Sequence, residues 1–416
     1  MTSSMESNIS APWMDRAWIQ EVLRDVEMDP SLSVTDCHVT DASSKGDHYL
    51  SEMQRITVHL QRAGCTNSRM SLIVKNLPAG EEMRKQLACS TAFPNEIKFF
   101  SQILPKFEAI LESAAAGCFK PLAARHIHSR DTVPYFLVVT DLAPEGFRMA
   151  ARQRGLELDH CLLAMKALAR LHAASVALRD SDPLLVESMK ENIFSEEPPS
   201  GILQGFSKPS IVSIAKLVRQ WPDGGEATAT KLLDLADTFC QRLRQQLSPE
   251  GNRLNVLIHG DLWTNNMLFK YNDVTGGVED IRLVDFQLAM YSSCAIDLQY
   301  FIHTSPRDEV RVAHTEDILR EYHRELSSTL QLLGQAGKAV TFRELMDEYE
   351  RKGVYGFLIS LFVLPLFMAD CENAADTEVL MSGCNYSESS DERSSNKEFV
   401  KVMKRLLPLF EKKGFF

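Results

Sequence analysis

The sequence lacks the cysteine pattern of a disulfide-bonded or zinc-binding protein. Its nine cysteines are scattered along 416 residues, their number is odd, and none belongs to a C-x-x-C pair. Disulfide frameworks and structural zinc sites depend on paired or closely spaced cysteines. We therefore expect reduced thiols and a cytoplasmic location.

We expect neither a secretory leader nor a bilayer-spanning run in this sequence. The first segment, MTSSMESNISAPWMDRAW, carries acidic residues early and has no apolar stretch of signal-peptide length. One uncharged apolar run, residues 354–369, has 16 residues with Pro365 among them, whereas a membrane helix needs roughly 20. We predict a buried core helix there and no stable membrane span.

Excess positive charge is a third absence. The formal net charge is -11 at pH 7, while 44% hydrophobic and 24% charged residues are typical of a globular protein. Because nucleic-acid backbones bind to basic surfaces, this balance argues against a nucleic-acid groove as the main function. Any phosphate-binding site must then be local.

The most informative pattern lies in residues 256–287, VLIHGDLWTNNMLFKYNDVTGGVEDIRLVDFQ. Three apolar runs are separated by the polar loop HGDLWTNN and by a turn segment that contains a Gly-Gly pair. Such a pair permits the backbone angles of a tight turn. We predict an antiparallel hairpin that pairs residues 267–270 with residues 281–284.

This register brings three polar side chains together. Asn266 lies opposite Asp285, and Asp261 on the preceding loop reaches the same space. A phosphoryl-transfer site needs a positioned hydroxyl and cations over the phosphates, and Mg²⁺ takes oxygen ligands such as carboxylates and carboxamides. Asp261 or Asn266 alone suits an ordinary turn cap equally well. The whole arrangement, H-G-D-x-x-x-x-N followed by V-D-F, favours phosphoryl transfer.

The N-terminal third predicts a β-rich unit. Alternating apolar residues indicate strands near residues 31–39, 55–60 and 70–75. Gly46 lies in a loop of small residues between the first two strands. Such a loop fits a cover over nucleotide phosphates or, equally, an ordinary hairpin turn.

Lys75 and Glu96 form a predicted ion pair. Lys75 ends its strand facing away from Leu72 and Val74, and in isolation such a lysine is ordinarily a solvated charge. Glu96 shares a helical stripe with Phe100, so its carboxylate points inward with the apolar residues. Because an unpaired buried carboxylate is costly, Glu96 needs a cation, and Lys75 is the nearest candidate.

A polar connector follows the buried strand predicted at residues 135–140. It begins with Asp141 and Leu142 and contains glycine and proline. We place the lobe boundary here, which divides the chain into an N-terminal lobe, residues 1–140, and a C-terminal lobe, residues 141–416.

The C-terminal lobe is predicted to be mostly helical. His172 lies on the apolar stripe of a long helix and is expected to be a hydrogen-bonded core residue. Residues 181–225, rich in Pro, Ser and Gly, fit an insertion that covers a site. Asp297 fits either an acid near a helix N-terminus or an anchor for the catalytic loop. Residues 387–398 lack apolar periodicity and predict a flexible surface loop.

The chain resembles the ecdysteroid-kinase-like family of insects, which has a CHK kinase-like domain and is related to choline kinases and aminoglycoside phosphotransferases. The resemblance covers about residues 34–410 and rests on IHGDLWTNNMLF, LVDFQ and AIDLQYF, with support from LIVK, FPNEIKFF and LARLHAAS. It implies an α+β, two-lobed protein-kinase-like fold with a small β-rich N-terminal lobe and a larger helical C-terminal lobe. Thr140 and His303 depart from the family pattern, at positions that bear on nucleotide or substrate preference.

The resemblance also implies roles for individual residues, with ATP and Mg²⁺ as cofactors. Asp261 would be the catalytic base, Asn266 and Asp285 the magnesium ligands. Nucleotide contacts would come from Lys75 on the phosphates, Glu96 holding Lys75, Gly46 in the phosphate-covering loop, and Asp141 and Leu142 at the adenine.

The activity implied is transfer of the γ-phosphate of ATP to a hydroxyl group of a steroid such as an ecdysteroid. Two alternatives remain open: a detoxification kinase for xenobiotic or phenolic alcohols, and a catalytically silent nucleotide- or steroid-binding module. We expect a monomer whose partner is a small hydroxylated molecule. A protein substrate is disfavoured, because nothing after LVDFQ resembles a protein-kinase activation loop with its A-P-E segment.

Overall fold

The fold was analysed in a computed structural model that describes residues 15–42, 51–63, 67–78, 80–196, 201–222, 224–364 and 397–416. Its N-terminal part is a β-sheet and its C-terminal part is mostly helical, as predicted. Gly46 and most of the predicted surface loop 387–398 lie outside these ranges. The last two residues of that loop belong to the final helix, α13, Lys397–Lys412.

The N-terminal sheet has five antiparallel strands, in the order β1-β2-β3-β5-β4. Helix α1 packs on one face, where Ile19 and Leu23 meet Ile56, Val58 and other apolar side chains of the sheet in a small core. The alternation in the sequence therefore identified the buried face of the central strands correctly. The elements are α1, Arg16–Glu27; β1, Ser33–Asp41; β2, Glu52–Gln61; β3, Ser68–Asn76; β4, His126–Arg130; and β5, Phe136–Thr140.

Three helices connect β3 to β4. They are α2, Glu81–Ala88; α3, Ala92–Lys98; and α4, Leu104–Ala114, with a π-helical turn at Phe99–Ile103 between the last two. The sequence predicted one helix here, and the wider π turn interrupts it, as such turns often do at functional sites. The apolar side chains of α3 and α4 belong to the large core of the C-terminal part.

The C-terminal part is built around helix α5, Leu158–Ser181. Composition alone would let α5 cross a membrane, but 72% of its most apolar window is buried inside the protein, as in an ordinary core helix.

The other helices are α6, Pro183–Glu187; α7, Gly201–Arg219; α8, Gly225–Leu247; α9, Cys294–Thr304; α10, Asp308–Leu332; α11, Phe342–Arg351; and α12, Gly353–Phe362. The strands are β6, Phe147–Met149; β7, Asn255–Ile258; β8, Met267–Tyr271; β9, Val278–Leu283; and β10, Met290–Ser293.

Two predictions about the C-terminal part can be compared with the structure. Residues 181–225 were expected to be an insertion over a site, but α6 and α7 make much of this segment helical, and α7 buries Ile211, Ile214 and Val218 in the large core. The apolar run 354–369 does form a buried helix over its described portion, α12. The described cysteines, Cys37, Cys89, Cys118, Cys161, Cys240 and Cys294, are free thiols.

The predicted hairpin register is wrong by one residue. Met267 pairs with Leu283 and Lys270 with Asp280, so β8 pairs with residues 280–283 and not with 281–284. A turn that closes Asn272 against Gly277, followed by an irregularity next to Lys270, fixes this alignment. Periodicity alone does not reveal a bulge, because a bulge adds a residue on one strand only.

Candidate active site

The second residue of the loop after β7 is a glycine whose position leaves no room for a side chain. Gly260 has a φ of +80°, and a Cβ atom built on it would lie 2.1 Å from the backbone oxygen of Leu288. Leu288 precedes β10, which pairs with β7. The close approach of these two segments therefore requires glycine at this point and fixes the path of the loop.

Asp297, near the start of α9, holds the backbone of this loop. Its carboxylate accepts the N–H groups of His259 at 2.7 Å and Gly260 at 2.8 Å, and it also contacts Nε2 of His172 at 3.1 Å. All of these groups are buried. Asp297 lies in the first turn of α9 and also anchors the loop, so both predicted placements hold, and His172 is a hydrogen-bonded core residue as expected.

The ring of His259 joins the loop to the end of β9. Nδ1 accepts the N–H of Asp261 at 3.3 Å, and Nε2 donates to the backbone oxygen of Val284 at 3.1 Å. Burial lowers the pKa of His259, so the ring is neutral and has one donor and one acceptor, as these two contacts require. The side chain of His259 thus connects Asp261, the predicted base, to Val284, the residue before Asp285.

Asp261 lies at the centre of the site, and both of its carboxylate oxygens have donors. Tyr300 donates its hydroxyl to Oδ1 at 2.5 Å, and Asn266 donates Nδ2 to Oδ2 at 2.8 Å. Burial and, after it, the charge of Asp285 raise the pKa of Asp261 to about 7, although the hydrogen bonds from Tyr300 and Asn266 oppose this rise. A carboxylate with a pKa near neutrality is suited to accept a proton.

The carboxamide of Asn266 is oriented by its nitrogen. Nδ2 donates to the side chain of Asp261 and also to its backbone oxygen, at 2.9 Å. This arrangement leaves the carboxamide oxygen as the group that Asn266 offers to a cation. The backbone oxygen of Asn266 accepts the N–H of Val284 at 3.0 Å, so its direct cross-strand neighbour is Val284 and not Asp285, as the corrected register requires.

Asp285 reaches the site by a turn of the backbone. Its φ is +66°, in the left-handed region that aspartate visits more readily than most residues. Oδ1 of Asp285 lies 2.9 Å from Nζ of Lys75. The contact joins the end of the hairpin to the N-terminal sheet.

Lys75 lies between two carboxylates. Its Nζ is 2.7 Å from Oε2 of Glu96, and the predicted ion pair is therefore present, with Asp285 as an additional partner. Burial on its own would lower the pKa of Lys75, but Asp285 and Glu96 more than offset it, and the pKa is raised. Burial raises the pKa of Glu96 despite the nearby ammonium group. One buried cation balances two acids here, the buried Glu96 and the partly buried Asp285.

Helix α3, which carries Glu96, is fixed to the C-terminal part at two points. The ring of Phe99 stacks on the ring of Phe286, with the two centroids 4.1 Å apart, and Phe286 directly follows Asp285 in the chain. Asn95, next to Glu96, donates to the backbone oxygen of Glu191 at 2.7 Å. Both contacts keep Glu96 facing Lys75, because they leave α3 little freedom to rotate.

Asp141 in the connector is bound to the N-terminal sheet. Oδ2 accepts from Nε of Arg55 and from Oγ of Ser71, both at 2.7 Å, and Oδ1 accepts the N–H of Ala143 at 3.1 Å. These donors lower the pKa of Asp141, although burial opposes them. Its carboxylate is therefore fully engaged, and only the backbone of the connector is suited to contact a ligand.

Leu142 belongs to a small apolar cluster beside the hairpin. It packs with Ala124 and Phe147, and Val139, Leu268 and Val284 adjoin the cluster. A flat apolar ring such as adenine suits a surface of this kind.

The structure brings together Asp261, Asn266, Asp285, Lys75 and Glu96, whereas Asp141 and Leu142 lie in the connector. Sequence reasoning missed Tyr300, which reads as an apolar position of α9. Its spacing from Asp297 was a usable indication, because residues three apart on a helix share a face. The catalytic roles of these residues stay predictions.

The oxygen donors present fit Mg²⁺. Asn266 and Asp285 supply a carboxamide and a carboxylate, the hard ligands that this ion prefers. Within the described ranges there is no group of three or more His, Cys, Asp and Glu side chains arranged to hold a metal. This agrees with Mg²⁺ chemistry, since that ion commonly takes one or two protein ligands and completes its shell with phosphates and water.

Comparison with known proteins gives one family match. The model of the ecdysteroid kinase-like family matches residues 45–335, a range that includes Asp261, Asn266, Asp285, Lys75 and Glu96. None of the curated protein sequences compared with the chain matches it.

Several solved structures are similar to the chain at low identity. The GDP complex of wild-type aminoglycoside 2'-phosphotransferase-IIIa is 13% identical with a TM-score of 0.33, covering 92% of this chain and 99% of that one. The GDP and kanamycin complex of APH(2")-IIIa is 14% identical with a TM-score of 0.36, covering 91% and 99%. The choline kinase LicA from Streptococcus pneumoniae is 11% identical with a TM-score of 0.33, covering 91% and 98%.

Proposed function

Since the chain belongs to the ecdysteroid kinase-like family, we propose that it is a small-molecule kinase that transfers the γ-phosphate of ATP to a hydroxyl group of a steroid such as an ecdysteroid. The observation that carries the proposal is the meeting of Asp261, Asn266, Asp285, Lys75 and Glu96 at one place. A protein that only binds a nucleotide has no use for a buried carboxylate poised to accept a proton.

Asp261 acts as the base. The acceptor's hydroxyl oxygen forms a bond to the γ-phosphorus, the bond from that phosphorus to the bridging oxygen of ADP breaks, and Asp261 takes the hydroxyl proton. Asn266 and Tyr300 keep the carboxylate in place through the hydrogen bonds to its two oxygens. A base so positioned contributes about 10²–10⁴ in rate.

Lys75 places its positive charge beside the nucleotide phosphates, and Glu96 orients the Lys75 ammonium group through their ion pair. Asn266 and Asp285 would hold Mg²⁺ through their side-chain oxygens. Bound there, the ion would neutralise negative charge on the nucleotide phosphates. The proposed nucleotide contacts further include the connector at Asp141 and Leu142.

The acceptor is proposed to be a neutral, hydroxylated steroid, in line with the family's description. The other proposed properties are a monomeric, cytoplasmic protein without a nucleic-acid partner, in which residues 1–140 and 141–416 form the two lobes. A phosphate loop at Gly46 completes the nucleotide site. Phosphorylation of xenobiotic or phenolic alcohols uses the same chemistry and differs only in the acceptor.

A panel assay tests the proposal. The purified protein is incubated with Mg·ATP and ecdysone, 20-hydroxyecdysone, plant phenols, choline or kanamycin, and mass spectrometry detects an acceptor that gains one phosphoryl group. We expect products from the steroids. Products from phenols alone would make the protein a detoxification kinase, and binding of Mg·ATP without any product would make it a silent binding module.

A further inference from the structure

The hydroxyl of Tyr300 binds Oδ1 of Asp261, the oxygen that Asn266 leaves open. We propose that Tyr300 is a positioning residue for phosphoryl transfer: its phenol fixes the plane of the Asp261 carboxylate so that the carboxylate meets the acceptor's hydroxyl group. The inference rests on the proposed function, and it assigns to α9 a part in catalysis beyond that of anchoring the loop.

A carboxylate needs two contacts before its plane is fixed. The terminal torsion of aspartate is broad and roughly two-fold, so a single hydrogen bond leaves the group free to swing. Asn266 holds Oδ2 from the loop itself, and Tyr300 holds Oδ1 from α9. Removal of either contact leaves the carboxylate with only one point of attachment.

Helix α9 also holds the backbone beneath Asp261. Asp297 binds the N–H groups of His259 and Gly260, and Tyr300 follows it by three residues on the same side of the helix. The backbone beneath Asp261 and the carboxylate of Asp261 are thus both held by one helix, α9. Displacement of a reacting group by about 1 Å can cost about 10²-fold in rate, so holding both parts from the same helix has catalytic value.

Burial alone does not explain the contact. Tyr355 on α12 is as fully buried as Tyr300, and their ring centroids are 6.4 Å apart. Yet the Tyr355 hydroxyl is buried and makes no hydrogen bond to any group in the described part of the chain. Burial in this core therefore does not by itself give a tyrosine hydroxyl a hydrogen-bond partner, and the contact of Tyr300 with Asp261 is specific.

The test compares Tyr300→Phe with Tyr355→Phe in the full-length protein. Each change deletes one buried hydroxyl from neighbouring helices, so Tyr355→Phe controls for the loss of volume and polarity. We measure kcat and KM with the acceptor that the panel assay identifies, and the Kd of Mg·ATP by calorimetry. We expect Tyr300→Phe to lower kcat by roughly 10- to 100-fold with the nucleotide Kd within about twofold of wild type. Tyr355→Phe should leave both quantities within about twofold.

A double-mutant cycle separates positioning from a general structural role. If Tyr300 acts through Asp261, Tyr300→Phe causes no further loss of the residual rate in an Asp261→Asn background. Equal losses in the two backgrounds would overturn the proposal. So would a Tyr300→Phe protein with a wild-type kcat, or one that does not fold or bind Mg·ATP. A wild-type protein that phosphorylates nothing overturns the proposed function first and this inference with it.

Discussion

Two aspartates of similar burial behave in opposite ways in this molecule. Asp141 in the connector is 7% exposed and Asp261 in the loop after β7 is 9% exposed. Hydrogen bonds from Arg55 and Ser71 leave the pKa of Asp141 low in spite of burial. Burial and the charge of Asp285 raise the pKa of Asp261 to about 7.

Burial raises the pKa of both carboxyl groups, and it is offset only at Asp141, where the donors outweigh it. Asp141 faces a guanidinium group and a hydroxyl, so its charge is balanced locally and its carboxylate serves structure. Asp261 receives only the neutral donors Tyr300 and Asn266, and the strongest charge interaction on it comes from an acid, Asp285. A buried carboxylate without a matched cation costs stability and gains proton affinity. Matched substitutions at the two positions should therefore have opposite consequences.

Asp261→Asn should give the largest effect on rate. The carboxamide keeps the shape of the side chain but cannot take the hydroxyl proton, so kcat should fall by about 10²–10⁴-fold. The Kd of Mg·ATP and the melting temperature should change little. Steady-state kinetics, calorimetry and thermal unfolding check these outcomes, with Asp141→Asn as the matched control. A variant that retains full turnover would remove Asp261 from its role.

Lys75→Met should affect rate and stability together. Glu96 and Asp285 both contact the same ammonium group, and its removal leaves a buried and a partly buried carboxylate without their cation. We expect kcat to fall by roughly 10²-fold and the free energy of unfolding by about 3 kcal/mol. Lys106→Met, at an exposed lysine on α4 that pairs with Asp182, controls for the substitution. Loss of rate without loss of stability would show that Lys75 serves the ligand alone.

Asp141→Asn should lower stability and spare chemistry. Loss of the charged contacts to Arg55 and Ser71 should cost about 1–3 kcal/mol of unfolding free energy, with kcat unchanged below the melting temperature. The effect depends on pH. Because the folded-state pKa is below the ordinary value of 3.8, the stabilisation is present above that value and is lost as the pH falls through the folded-state pKa. The gap in stability between wild type and variant should therefore close below about pH 4, and a gap that persists would contradict the assignment.

Ser71→Ala should give the smallest effect. It removes one hydrogen bond from Asp141 but leaves Arg55 in place, so a loss of about 1 kcal/mol is expected in chemical denaturation. Ser113→Ala deletes an exposed hydroxyl bonded only to its own helix turn and should change stability by less than about 0.5 kcal/mol. Equal losses of stability at the two serines would show that the hydrogen bond from Ser71 to Asp141 contributes no more than an exposed hydroxyl does.

The sequence predicted which side chains meet better than it predicted the strand register that brings them together. The alternation of Ile56 and Val58 located the buried face of the sheet, and the helical stripe of Glu96 located the partner of Lys75. Both inferences follow from regular geometry. The hairpin register failed because a bulge near Lys270 has no periodic trace.

What brings Asp285 into the site is a backbone conformation, and this too was invisible in the sequence. Its φ of +66° turns the chain after β9 towards Lys75. Tyr300 was missed for a different reason: a tyrosine within a buried helix looks like packing until its hydroxyl is seen to contact Asp261. Contacts between side chains from distant elements depend on the whole fold and leave little local pattern.

The ion pair between Lys75 and Glu96 joins two separate hydrophobic cores. The apolar side chains of β3, such as Leu72 and Val74, belong to the small core under α1, whereas Phe93 and Ile97 of α3 belong to the large one. A ligand held by Lys75 is consequently lost if either core unfolds. Its binding free energy then adds to the stability of both, so substrate saturation would make the melting of the sheet and of the helical body a single cooperative event.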